Sequence, residues 1–192
     1  FQELLNYFDL EPQIPFNVYM GIEKKGFGWK KGSKESAKKD YQQVIPYSLA
    51  KRFIMNQVDF VPEGAFNYFK IKETNYKSYE MHYKSLCCVY RSKGFVVLLV
   101  HFADDTGWDS YNVSFLLSFD YAGRLLDACK VGKELHLEAT GQKVEEQMFS
   151  RFEADSTFYT QAQKTEIEYG KNTLGQEFYQ KTPTEELIRY KV

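Results

Sequence analysis

Two neighbouring stretches decide the fold of this chain: FVVLLVHF at residues 95–102 and YNVSFLLSFD at residues 111–120. The first is apolar at nearly every position, which is typical of a central strand that is covered on both faces. The second alternates between apolar and polar residues, with Leu116 as the exception, so it predicts a strand with one buried face. The eight residues between them hold Gly107 and three aspartates, which is the turn chemistry that connects antiparallel neighbours.

The strands that flank this pair are predicted in the same way. MHYKSLCCVY at residues 81–90 precedes it and is separated from it by the turn RSKG, while RLLDACK at residues 124–130 follows after the turn YAG. Their connections of two to eight residues leave no room for crossover helices. Weaker strand candidates continue along the chain at Leu135–Glu138, Val144–Phe152, Thr157–Ala162, Glu166–Tyr169, Glu177–Lys181 and Leu187–Val192. The sequence therefore predicts a mainly β fold, an antiparallel meander that forms a curved sheet or a partial barrel.

Two short helices are predicted in the N-terminal third of the chain. Apolar residues recur at helical spacing from Phe1 to Phe8, and the prolines that follow end this pattern. After Pro46, the stretch YSLAKRFIMN predicts a second helix that ends near Asn56, with Ser48 as its N-cap.

Length and composition limit the class of protein. The 192 residues fit a single domain, in which we expect the helical and loop residues 1–56 to pack on the β residues 57–192. The 15 Tyr and 16 Phe favour β structure. The 25 Lys and Arg balance 26 Asp and Glu, so binding to nucleic acid or to an anionic membrane is not favoured. No apolar run approaches the roughly 20 residues of a membrane-spanning helix, and no transmembrane segment is predicted.

The cysteines predict neither a disulfide framework nor a metal site. Cys87, Cys88 and Cys129 are too few for such a framework, and no CxxC or Cys/His cluster indicates zinc. We expect at least one free thiol buried against aromatic rings. Because Cys87 and Cys88 are neighbours in a predicted strand, their side chains point to opposite faces and are poorly placed to act as a redox couple. No cofactor is expected.

Three stretches together resemble a known group of proteins: IPYSLAKRF at residues 45–53, the strand pair with the turn and strand that follow it, and IEYGKNTLGQEF at residues 167–178. The combination is similar to uncharacterised exported β-rich proteins of Bacteroidales gut bacteria, many of them with a signal peptide or of the lipoprotein type. The resemblance implies an extracytoplasmic location. It also implies that an export signal, with a lipid anchor as one possibility, preceded Phe1. No activity follows from it.

The triplet DTG at residues 105–107 matches the motif that carries a catalytic carboxylate in aspartic proteases. That mechanism needs two carboxylates sharing a proton, and the chain has no second triplet. Trp108 also follows the triplet where those proteases have a small residue. The triplet is therefore predicted to be a loop. Asp104, Asp105 and Asp109 match no EF-hand spacing, so we predict a solvated acidic loop rather than a calcium site.

The segment from Gly21 to Asp40 is rich in glycine and lysine, and it includes KKGFGWKKGSKESAKK. A phosphate-binding P-loop would end in Gly-Lys-Ser or Gly-Lys-Thr, which this segment lacks. Phe27 and Trp29 lie between lysines as stacking platforms for single-stranded nucleic acid would. The balanced overall charge instead favours a solvated, mobile loop that these two rings anchor to the sheet.

The favoured functional hypothesis is a non-catalytic domain that binds a glycan or a protein partner through aromatic residues. The three histidines lie in no nucleophile elbow, and His101 is predicted to be a hydrogen-bonded core residue. Trp108 is predicted to fold back on the core rather than stand exposed. The predicted contact residues are Trp108, Asp104, Asp105, Asp109, Phe27 and Trp29. The alternatives are a hydrolase with scattered Asp and Glu residues, and a scaffolding subunit with an exposed apolar patch.

Overall fold

The computed structural model describes residues 1–8, 11–12, 15–19, 21–22, 43–57, 81–104, 110–139, 142–153, 157–171 and 177–191. The helical elements are α1 (Gln2–Leu5), α2 (Tyr47–Ala50) and a π-helical turn over Lys51–Met55. The strands are β1 (Phe16–Tyr19), β2 (Gly21–Ile22), β3 (Gln43–Val44), β4 (Met81–Arg91), β5 (Phe95–Asp104), β6 (Ser110–Asp120), β7 (Leu125–Ala139), β8 (Gln142–Phe152), β9 (Thr157–Lys171) and β10 (Glu177–Lys191). No helix in these ranges is long and apolar enough to cross a membrane.

The strands form an antiparallel meander. In the run from β3 to β10, consecutive strands pair with each other. β1 pairs with the end of β8, with Phe16 opposite Phe152, and β2 has β1 as its only partner among the described strands. The sheet is open, because β3 and β10 do not pair with each other. The mainly β fold, its antiparallel topology and the two short N-terminal helices are confirmed.

β5 is a central strand buried on both faces, as its sequence predicts. Val96, Leu98 and Val100 belong to one hydrophobic core. Val97 and Leu99, the residues between them, belong to a second core on the other face of the sheet. β6 has the alternation that its sequence predicts. Its odd-numbered residues from Tyr111 to Phe119 are all buried in the first core, and Leu116 is buried in the second.

The helical elements cover the first core. Leu4 and Phe8, from α1 and the turn after it, and Phe53 and Ile54, from the π-helical turn, are buried against the sheet in this cluster. The proposed N-cap was wrong by two residues: Pro46 is the N-cap of α2, and Ser48 lies inside the helix. Proline is well suited to a helix start because the first N–H groups of a helix have no intrahelical partner.

The second core is covered by aromatic residues from distant parts of the chain. The rings of Phe16 and Phe152 are stacked with centroids 4.6 Å apart, and Phe158 lies 5.0 Å beyond Phe152. Cys87 is buried in this core and Cys88 in the first, so the prediction that the pair points to opposite faces is confirmed. All three cysteines are free thiols, and burial raises the pKa of the Cys87 thiol well above its usual value.

The later strands are longer than the sequence predicts. The separate candidates around residues 124–130 and 135–138 are one strand, β7, and the last four candidates form only two strands, β9 and β10. The residues that join these segments, such as Gln163 to Thr165, are polar at successive positions and give no alternation. Their pairing with neighbouring strands, which sequence periodicity does not report, keeps them extended.

Candidate binding surface

Most of the contact residues that the sequence suggests lie outside the described part of the chain. This holds for Phe27, Trp29, Asp105, Trp108 and Asp109, and therefore also for the DTG triplet. Asp104 is the last residue of β5 and pairs with Met81 of β4, but its side chain is not described. The roles assigned to these residues stay predictions. The loop predicted over Gly21–Asp40 is wrong for Gly21 and Ile22, which form β2 because they pair with β1, and residues 23–40 lie outside the described part of the chain.

At the opposite end of β5, two turns lie side by side. One joins β4 to β5 and the other joins β6 to β7. The Tyr121 hydroxyl donates a hydrogen bond to the Ser92 carbonyl at 2.9 Å and so links the two turns. The Ser92 hydroxyl oxygen accepts hydrogen bonds from the backbone N–H groups of Gly94 and Phe95 at 3.1 and 3.0 Å. Both turns are thus fixed by side-chain contacts.

The second turn is held by a carboxylate. Asp120 accepts hydrogen bonds from the backbone N–H groups of Arg124 at 2.9 Å and Ala122 at 3.0 Å. The backbone N–H of Arg124 is the main cause that lowers the pKa of Asp120. Gln57 adds a link to the helical part, because its side chain donates to the Gly123 carbonyl and accepts from the Leu125 N–H.

Four apolar side chains lie at this end of the sheet: Tyr90, Phe95, Tyr121 and Leu126, together called the turn-end surface here. Tyr90 and Tyr121 are each 45% exposed, and Leu126 is 50% exposed. The Tyr90 and Phe95 rings pack with centroids 5.5 Å apart. Leu126 is the extra residue of a β-bulge, since Ser118 pairs with Asp127 and the next pair is Phe119 with Leu125. The sequence around these residues predicts strands and turns but gives no signal of their exposure.

Cationic side chains at this end of the sheet include Arg91, Lys93 and Arg124. Arg91 is on the face of the first core, because it pairs with Val96, whereas Tyr90 pairs with Val97 of the second core. Arg91 donates a hydrogen bond to the Phe8 carbonyl at 3.1 Å and lies 4.0 Å from the Glu11 carboxylate. Arg124 pairs with Asp120 at 3.1 Å. Lys93 is exposed in the first turn and makes no ion pair with any described residue. The turn-end surface therefore combines half-exposed aromatic rings with the cationic Lys93 and Arg124 of the two turns.

The three histidines lie on one face of the sheet. The register places His82 opposite Ala103, His101 opposite Ser114 and His136 opposite Ser110, and these positions share a face because side chains alternate along each strand. His82 and His101 are buried, whereas His136 is partly exposed beside Glu145. Sequence patterns missed this grouping because it depends on the register of four strands.

His101 and Ser114 have the distance of a base and a nucleophile but not the access. The His101 Nδ1 and the Ser114 Oγ are 3.0 Å apart. Burial, then the nearby Lys84 and His82, lower the pKa of His101 to about 4. Ser114 is fully buried, so a substrate has no route to its hydroxyl past the described residues. The pair satisfies buried polar groups, and the prediction of a hydrogen-bonded core histidine is confirmed.

Other chemistries find little support in the described residues. No group of three or more His, Cys, Asp or Glu side chains in these ranges could hold a metal ion. Comparisons with known proteins find no matching family model, no matching curated protein and no matching solved structure. Functional inference for this chain therefore rests on its own residues.

Proposed function

We propose that this protein is a non-catalytic binding domain that contacts a protein partner through the turn-end surface. The observation that carries the proposal is the pair of half-exposed tyrosines, Tyr90 and Tyr121, on two turns that a hydrogen bond joins. Tyrosine and arginine dominate the energetic centres of protein interfaces, and both residue types are present here. Arg124 lies in the same turn as Tyr121, and its guanidinium group is already oriented by the Asp120 carboxylate.

The fixed geometry of these side chains supports binding. The Tyr121 ring is held by its hydroxyl contact to Ser92, and the Tyr90 ring by its contact with Phe95. A partner that binds ordered rings loses less conformational entropy than one that must order them. Exposed aromatic rings without a partner leave apolar area in water, which a protein interface would remove.

A hydrolase with scattered carboxylates is less well supported. Several carboxylates of the described sheet, among them Glu145, Glu146 and Glu166, lie in ion pairs with lysines. Their oxygens are already engaged by lysines, whereas a catalytic carboxylate must have an oxygen within hydrogen-bond reach of its substrate.

We also propose an extracytoplasmic location for this domain. The support is the resemblance of IPYSLAKRF and the strand pair to exported β-rich proteins. A surface or periplasmic domain of this kind would meet its partner outside the cytoplasm. Fractionation of the cells that produce the full-length protein tests the location, and recovery in the cytoplasmic fraction would contradict it.

Photo-crosslinking tests the binding surface directly. A photoreactive phenylalanine at position 93, between the tyrosines, should give a discrete protein adduct in the producing cells. The same probe at position 149 is a matched control, because Phe149 is also exposed, at 39%, but lies on β8. Adding Tyr90→Ala or Tyr121→Ala to the position-93 protein should reduce the adduct about tenfold, as expected for a residue worth roughly 1.4 kcal/mol or more.

Further variants distinguish binding through the tyrosines from nonspecific crosslinking. Tyr121→Phe removes only the hydroxyl link to Ser92, so it should reduce the adduct less than Tyr121→Ala does. An adduct that survives both alanine substitutions, or one that forms equally from position 149, would show that the tyrosines do not form the contact.

A further inference from the structure

A pocket of about 350 Å³ opens on the outer half of the sheet, between β7 and β10. One row of paired residues crosses it: Lys133 on β7, Met148 on β8, Ala162 on β9 and Glu186 on β10. The neighbouring row carries Glu146 and Lys164. Ala162 is the smallest side chain in the row, so the pocket is the depression that its longer neighbours leave above it.

The charges at the wall of the pocket are only partly compensated. Lys133 forms an ion pair with Glu146, and Lys164 forms one with Glu166 at 2.6 Å. The hydrogen bond that Lys164 donates to Glu166 raises the pKa of Lys164, which keeps that lysine charged. Lys130 and Glu186 also line the pocket, and neither makes an ion pair with a described residue. One cation and one anion therefore face the pocket from different strands.

We propose that this pocket binds a small zwitterion, a dipeptide with apolar side chains, with its carboxylate at Lys130 and its ammonium group at Glu186. The site is distinct from the turn-end surface and goes beyond the proposed partner contact. Lys130 lies on β7, three residues before the Lys133 that shares a row with Glu186 of β10. Their backbones are therefore three strand spacings, about 14 Å, apart across the sheet and are also offset along the strands. Met148 and Ala162 lie between them and offer an apolar floor to the ligand side chains.

The size and charge of the pocket favour this ligand class over a simple anion. Its volume is at the small end of the range of roughly 300–1,000 Å³ that ligand sites occupy. An inorganic anion would meet Lys130 but would also be repelled by Glu186, because like charges disfavour each other. A zwitterion instead satisfies both free charges and uses the apolar floor as well.

Titration with L-leucyl-L-leucine, followed by amide chemical shifts of the full 192-residue chain, tests the proposal. Binding should weaken about tenfold in Lys130→Gln and in Glu186→Gln, because each removes one charge-assisted contact. Ala162→Met should abolish binding by filling the depression. Lys93→Gln and Glu168→Gln are matched controls outside the pocket and should bind as the unchanged protein does.

Two capped ligands assign the charges. N-acetyl-leucyl-leucine lacks the ammonium group, so Glu186→Gln should no longer weaken its binding, whereas Lys130→Gln still should. Leucyl-leucinamide lacks the carboxylate and should show the reverse pattern. Absence of shifts around the pocket with all three ligands at millimolar concentration, or equal binding by Ala162→Met, would overturn the proposal. The photo-crosslinking result at position 93 is independent of both outcomes.

Discussion

At the scale of single residues, the burial of His101 links folding to pH. Its imidazole is buried on β5 beside Ser114, and its pKa is lowered from 6.5 to about 4. Between these two values the unfolded chain binds a proton that the folded chain does not. The contribution of the neutral His101 to the free energy of unfolding is therefore complete above pH 6.5 and is lost as the pH falls through 4.

We expect the free energy of unfolding to fall by about 2–3 kcal/mol from this group between pH 7.5 and 4.5. His101→Gln keeps a polar partner for Ser114 but does not titrate, so the fall should be smaller in that variant by this amount. Urea denaturation at the two pH values measures the difference. His136→Gln is the control, because that histidine is partly exposed. Equal pH dependence in His101→Gln and the unchanged protein would contradict the expectation.

Both the backbone conformation at position 123 and the side chains around it require glycine there. Its φ angle is +86°, and a Cβ atom placed on it would lie 2.8 Å from Phe53 and 3.0 Å from Phe1. Side-chain residues rarely adopt this conformation, and the two phenylalanines are packed in the first core. The turn between β6 and β7 therefore needs glycine.

Gly123→Ala should lower the free energy of unfolding by about 2 kcal/mol or more, from backbone strain and the contact with Phe53. Gly94 is the matched control in the other turn, because a Cβ atom there has nothing within 4 Å. Gly94→Ala should change stability by less than about 0.5 kcal/mol. Urea denaturation of both variants gives the comparison, and similar losses in the two would show that the packing at Gly123 is not the cause.

At the scale of elements, the sequence predicts strand existence better than strand length. β5 and β6 are predicted with nearly correct ends, because buried apolar residues define them over their whole length. The sequence predicts two shorter strands in place of each of β9 and β10, because their middle parts are exposed and polar. The bulge that exposes Leu126 and the rows that form the pocket depend on register, which is set by pairing across the sheet and not by local sequence.

Pro183 lies in the middle of β10, opposite Thr165 of β9. Proline has no backbone N–H and occurs within sheets essentially on edge strands. β9 is the only partner of β10 among the described strands, so the other edge of β10 pairs with no described strand. An unpaired edge of fifteen residues is a template for association with another chain, and proline reduces its ability to pair.

Pro183→Thr restores a backbone donor within the strand, so it should increase concentration-dependent self-association. Light scattering and sedimentation over a range of protein concentrations measure the effect. Thr184→Ser, at the next exposed position, is the control and should behave as the unchanged protein does. No increase in association for Pro183→Thr would indicate that the proline does not protect this edge.

At the scale of the whole molecule, two cores share the strands between them. β4 to β6 contribute one set of residues to the helix-covered core and the alternate set to the core that β1, β8 and β9 complete. This division follows from the apolar run in β5, which the sequence shows plainly. The residues that cover each face come from far along the chain, and local patterns do not identify them. The turn-end surface is equally non-local, because it joins two turns that only the sheet brings together.

The reactivity of the neighbouring thiols Cys87 and Cys88 measures the exposure of the two cores separately. Cys88 is buried in the first core and Cys87 in the second, whereas Cys129 is only partly buried. Burial raises the pKa of all three thiols, and reaction with a disulfide reagent needs an exposed thiolate. In the native protein Cys129 should therefore react first.

Proteins with a single cysteine test whether the two cores unfold together. We compare a protein that keeps only Cys87 with one that keeps only Cys88, with alanine at the other two cysteine positions in each. Both thiols should become reactive at the same urea concentration, because β4 to β6 cannot lose the cover of one face without losing packing that the other face needs. If Cys87 reacts at clearly lower urea than Cys88, the layer of β1 with the ends of β8 and β9 opens by itself, and the two cores are separate folding units.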